Sequence, residues 1–160
     1  MATKIVTANG MLKDISDNFK WLEAARSGGI SQVMAPPEGE ATTVPITAKS
    51  GVVIVPDDGE DTPGPIAMTL LDPVAGEDDG KVLTIITIAA EEHTLALVGP
   101  DDESGDPTAS KGFNGDATKN LATWDGGSGD VAIGDGLELL AYGGVWYVKA
   151  NTNVTLSTAT

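Results

Sequence analysis

The chain contains no cysteine, so disulfide staples and thiolate chemistry are excluded. It has a single histidine, His93, and that rules out any metal site built from several histidines. Aromatic residues make up only 4% of the 160 positions, and basic residues number 9 against 24 acids. A surface with that balance repels phosphate backbones and anionic lipid, and we expect neither nucleic acid nor membrane as a partner. Long apolar runs are missing too. The stretch Val82–Ala90 is interrupted by Thr84 and Thr87, and it falls far below the roughly 20 residues that span a bilayer. The opening MATKIVTANGML lacks the sustained apolar centre of a secretory leader.

What is abundant is glycine, 20 of 160 residues, and a hydrophobic content of 41%. Together they favour a turn-rich β protein with an independent core over a helical bundle. The charge is unevenly placed. Residues 1–29 hold Lys4, Lys13, Lys20 and Arg26 against Asp14, Asp17 and Glu23, a balance of +1. With a total of −15, the remainder carries −16. A nearly neutral segment thus precedes a strongly acidic body, and the asymmetry points to two different jobs.

Within 8–26, Leu12, Ile15, Phe19 and Leu22 recur at helical spacing, with Trp21 beside the stripe and Gly28-Gly29 as the stop. We expect 1–29 to be a helical docking arm that buries Leu12, Ile15, Phe19, Trp21 and Leu22 on a partner. Residues 30–45, with Pro36-Pro37 and Gly39, are expected to form a stiff linker. From 46 to 160 the pattern is short β-rich runs separated by Asp, Gly, Pro and Ser clusters. Candidate strands are Val52–Val55, Ile66–Leu71, Lys81–Ile88, His93–Val98, Leu121–Trp124, Val131–Ile133, Leu137–Tyr142, Val145–Ala150 and Val154–Leu156. The expected fold is mainly β, an antiparallel β-sandwich or jelly-roll-like body with an N-terminal helical arm. Lys81–Ile88 is apolar on both faces and is expected to be central.

Gly136–Ala150 reads as a hairpin turning on Gly143-Gly144, since a two-residue primed turn needs positive φ at both positions. That register sets Tyr142 opposite Val145, Ala141 opposite Trp146, Leu139 opposite Val148 and Glu138 opposite Lys149. One face then carries Leu137, Leu139, Ala141, Trp146, Val148 and Ala150. The other carries Leu140, Tyr142, Val145 and Tyr147. Both faces are apolar and need cover, so the second is expected to meet another sheet or another copy of the chain.

Chemistry-bearing patterns are weak by comparison. Asp57–Asp61 and Glu77–Gly80 lack calcium-loop spacing, and Gly126–Asp130 misses the calcium β-repeat by one residue. These acids are expected to be solvated. His93, beside Glu91 and Glu92, is expected at a strand edge, and Trp124 is left open between core and sugar platform. We expect no catalytic, cofactor or metal residues, and no cofactor.

The C-terminal half resembles a family of tailed-bacteriophage head decoration (cement) and head-fibre-like proteins. The resemblance lies in Gly80-Lys81-Val82-Leu83-Thr84-Ile85, Glu92-His93-Thr94-Leu95, Gly112-Phe113-Asn114-Gly115, Gly134–Leu139, Tyr142–Val148 and Asn153-Val154-Thr155-Leu156. It covers about residues 80–157 and implies a homotrimeric β protein on the outer surface of a virion capsid, bound to the major capsid protein, with no enzymatic role. The alternative is a phage fibre or adhesin module binding host-surface glycan.

Overall fold

A computed structural model describes residues 30–34, 43–56, 65–88, 92–102, 105, 108–124 and 134–159. Ten strands are assigned there: β1 (Ile30–Val33), β2 (Val44–Ile46), β3 (Gly51–Val55), β4 (Ala67–Leu71), β5 (Val82–Thr87), β6 (Thr94–Val98), β7 (Leu121–Thr123), β8 (Gly136–Tyr142), β9 (Val145–Thr152) and β10 (Thr155–Ser157). A single 3₁₀ turn, Phe113–Gly115, is the one helical element among the described residues. The protein is mainly β. The expected helix over 8–26, with Leu12, Ile15, Phe19, Trp21 and Leu22, lies outside the described residues, as does the expected strand Val131–Ile133.

The strands form two five-stranded sheets, in the orders β1-β3-β5-β8-β9 (sheet A) and β10-β7-β6-β4-β2 (sheet B). The expectation of purely antiparallel sheets is corrected: both are mixed. From β1 to β6 the chain alternates between the sheets, so each strand lands beside the one two places earlier, running the same way. Thus β1, β3 and β5 are parallel neighbours in sheet A, and β2, β4 and β6 in sheet B. Parallel neighbours need a crossover, and here a strand in the opposite sheet supplies it in place of a helix. The chain then turns back. β7 pairs antiparallel with β6 and β10, and β8 pairs antiparallel with β5 and β9.

The linker reading also changes. Ile30–Val33, placed at its start, is the edge strand of sheet A, and Val44 opens β2. Residues 35–42, with the proline pair, lie outside the described residues.

Both sheets contribute to one core. Val53, Leu83, Ile85, Leu137, Leu139 and Trp146 from sheet A join Ile46, Met68, Leu70, Leu95, Leu97 and Ala122 from sheet B. The central strands β3 and β5 are apolar on both sides, as parallel strands buried on two faces require. Their outward residues Val52, Ile54 and Ile86 make a second buried cluster with Ile88 packed against it. The reading of Lys81–Ile88 as central and two-sidedly apolar is therefore met by β5.

Candidate interaction surface

The β8–β9 hairpin carries the candidate surface, and its local chemistry fixes its shape. Gly143 and Gly144 sit at φ 59° and 77°, values that L side chains seldom adopt. Asp79 Oδ1 accepts the Gly143 N–H at 2.8 Å and ties the turn to the loop before β5. The expected register holds near the turn: Tyr142 pairs with Val145, Ala141 with Trp146, and Leu139 with Val148. Farther out it slips. A bulge between Glu138 and Leu139 makes Lys149 the extra residue, so Glu138 faces Ala150. Ala150, expected on the core face, is moved outward and exposed. Lys149 Nζ still reaches Glu138 Oε1 as an ion pair.

The two faces of the hairpin have separate fates. Leu137, Leu139, Ala141 and Trp146 are fully buried, and the indole N–H of Trp146 donates to the Leu71 carbonyl at 2.9 Å. On the other face Tyr142 is 64% and Tyr147 39% exposed, with Leu140 and Val145 half-buried. Val82, Leu140 and Tyr147 lie directly abreast across β5, β8 and β9, forming an apolar row. The row is flanked by the mutually neutralised Glu138 and Lys149. On a chain of charge −15 this face presents no net charge.

Polar hooks hold the hairpin in place. Asn114, at φ 58° within the 3₁₀ turn, accepts the Val148 N–H through Oδ1 at 2.8 Å. Asn tolerates the left-handed conformation and carries the acceptor, so Gly112-Phe113-Asn114-Gly115 delivers both at one position. Asp72 is buried and accepts from the Ser110 hydroxyl at 2.8 Å and the Lys111 N–H at 2.7 Å. Asp78 is also buried. It accepts from Lys81 Nζ at 2.6 Å and the Val74 N–H at 2.7 Å, and Lys49 Nζ stands 3.6 Å away. Hydrogen bonds from Lys81 and then from the Val74 amide, outweighing desolvation, hold its carboxyl below the usual aspartate range. Thr118, donating through its hydroxyl and amide, does the same for Asp116 on the surface.

Several expectations are revised here. Asp78, read as a solvated loop acid, is buried and binds Lys81 and the Val74 amide, whereas Asp79 is exposed as expected and also accepts the Gly143 N–H. A buried carboxylate whose lysine follows three positions later was the available signal. No group of three or more His, Asp or Glu able to hold a metal ion occurs among the described residues. Asp57–Asp61 and Gly126–Asp130 lie outside them. His93 directly precedes β6, at the strand start expected of it, and is fully buried: its Nδ1 accepts the Ile66 N–H at 3.0 Å, and its carbonyl accepts the Trp124 N–H at 2.9 Å. Trp124 is core, fully buried, with its indole N–H on the Asp135 carbonyl at 3.3 Å. It is not available as a sugar-stacking platform. Compared with known proteins, the chain matches no family model and no curated protein.

Proposed function

We propose that this chain is a viral structural protein, a capsid decoration (cement) protein that binds and stabilises a tailed-phage head shell. The observation that carries the reading is the outer face of β8–β9. Leu140, Tyr142, Val145 and Tyr147 form an accessible apolar surface without net charge on a strongly acidic body. Like-charged copies repel, so contact between them is favoured where charge is missing. Tyrosine supplies large, stiff contact area at low entropic cost. The residues that carry the resemblance to decoration and head-fibre-like proteins include the 3₁₀ turn and the hairpin, the parts that form and brace this face.

In this reading the protein acts by binding, without catalysis or cofactor. It is a homotrimer on the outer capsid surface, with a sandwich body and its partner the major capsid protein. Residues 1–29 are assigned as the docking arm, through Leu12, Ile15, Phe19, Trp21 and Leu22. Burying about 400 Å² of apolar surface contributes roughly 10 kcal/mol gross, before ordering costs. Three arms per trimer multiply the avidity. The acidic body facing outward keeps particles mutually repelling. The test is sedimentation of the purified chain, followed by adding it back to stripped shells. A trimer that restores heat tolerance to the shells is expected, and deletion of residues 1–29 should leave the trimer but end shell binding. A stable monomer without affinity for any shell sinks the reading.

A further inference from the structure

The chain has two Asn-Gly pairs, Asn9-Gly10 and Asn114-Gly115, and the second sits in the 3₁₀ turn that braces β9. The side-chain amide of an asparagine is open to attack by the backbone nitrogen of the next residue. A glycine there has no side chain to shield that nitrogen. Asn120, Asn151 and Asn153 are followed instead by Leu121, Thr152 and Val154, whose side chains crowd the approach. Asn114 and Gly115 are both exposed, and no atom stands within 4 Å of where a Cβ on Gly115 would be. Water and hydroxide therefore reach the pair.

The folded turn keeps the two reacting groups apart. Asn114 is left-handed, at φ 58° and ψ 19°. In that conformation Cβ lies beside the residue's own carbonyl oxygen, so the next nitrogen is turned away from the side chain. The side chain is pinned as well, because its Oδ1 holds the Val148 N–H at 2.8 Å. The Gly115 N–H is itself engaged by the Gly112 carbonyl at 3.3 Å. All three constraints belong to the docked turn, and a left-handed asparagine persists only while its surroundings hold it there.

We propose that Asn114 is a deamidation site gated by this turn, stable while the turn is docked on β9 and converting when it opens. In the open state hydroxide removes the Gly115 amide proton, and the nitrogen forms a bond to Cγ of Asn114. The Cγ–Nδ2 bond breaks, and the amide nitrogen takes a proton from water and leaves as ammonia. Water then opens the resulting succinimide at one carbonyl or the other, leaving aspartate or isoaspartate. No oxidant, reductant or cofactor enters. Either product adds a negative charge beside β9. Isoaspartate also adds a methylene to the main chain and displaces the acceptor of the Val148 N–H. The site thus records openings of the hairpin brace irreversibly, whatever partner the protein has.

The test uses the full-length wild-type protein, incubated at mildly alkaline pH both folded and in denaturant. Peptide mass spectrometry follows conversion, with isoaspartate resolved by chromatography. In the denatured chain both Asn114 and Asn9 should convert. In the folded protein Asn114 should convert more slowly by on the order of tenfold or more, as a reaction limited to the open population must. Equal rates in the folded and denatured protein overturn the gate. A denatured chain in which Asn9 converts and Asn114 does not overturns the site. Amide exchange at Val148 gives an independent readout, because the same opening frees both groups. Its protection should match the slowdown at Asn114 within a few-fold, and a wider mismatch overturns the proposal.

Discussion

The two faces of the β8–β9 hairpin are built from the same chemistry and do different work. Leu139, Ala141 and Trp146 point into the shared core and are fully buried. Leu140, Tyr142, Val145 and Tyr147, interleaved with them, stay accessible. Composition does not separate the faces, since both are apolar. The number of sheets behind each does. The inner face meets sheet B, whereas the outer face has no opposing sheet among the described residues. Substitutions on the inner face should therefore cost stability, and those on the outer face should cost association.

The largest effect is expected at Trp146. Trp146→Ala removes a fully buried side chain and the donor to the Leu71 carbonyl. Large aromatic deletions in cores cost about 3–5 kcal/mol. Chemical or thermal denaturation should show that loss. A change under ~0.5 kcal/mol, within the range of surface substitutions, would mean that the two faces are equivalent and the comparison is broken.

A smaller effect is expected at the hook that keeps the inner face seated. Asn114→Ala leaves the Val148 N–H without its acceptor and places alanine at φ 58°. The two losses together should cost on the order of 1–2 kcal/mol. Asn114→Gly restores the backbone freedom but not the acceptor, so it should recover part of the loss. If glycine is no better than alanine in denaturation midpoints, strain at this position plays no part.

Asp78 anchors the loop behind the turn, and its contribution follows pH. Its folded carboxyl lies below its ordinary value because Lys81 and the Val74 amide bind the charged form. The folded state thus holds the ionised form more tightly than the unfolded state does. That stability is fully present above the unfolded value of about 3.9 and disappears as pH falls through the lower folded value. Asp78→Asn should lower stability at neutral pH and flatten the acid limb of the stability profile. An unchanged acid limb would locate the acid sensitivity elsewhere.

How much of this was legible in the sequence follows from distance along the chain. The hairpin was readable because Gly143-Gly144 fixes the turn and the register within a few residues. The bulge at Glu138 was not, because it depends on where β8 must meet β5. Strand positions from β3 onward were readable from short apolar runs between turn clusters. Their parallel pairing was not, because a run such as Gly-Val-Val-Ile-Val states only that both faces are buried. Ile30–Val33 looked like linker because its pairing partner, β3, is supplied from the next turn of the chain. His93 and Trp124 looked undecided because their partners, Ile66 and Asp135, are brought to them by other strands. Tyr142 and Tyr147 were placed on the outer face by alternation alone, and there they are.

The smallest effect on stability should come from the outer face, and it is the sharpest test of the comparison. Tyr142→Ser combined with Tyr147→Ser removes two exposed rings and touches none of the hooks. Neither hydroxyl of serine is forced into the core, and the Glu138–Lys149 pair remains outside the change. Substitutions at such surface positions fall within about 0.5 kcal/mol of wild type, so the denaturation midpoint should scarcely move. The sedimentation profile should move, from oligomer to monomer, because a contact without its aromatic anchors loses most of its binding energy. Retained oligomers with an unmoved midpoint would show that this face meets nothing. An equally large fall in stability would show that it is a second core face covered within the chain itself.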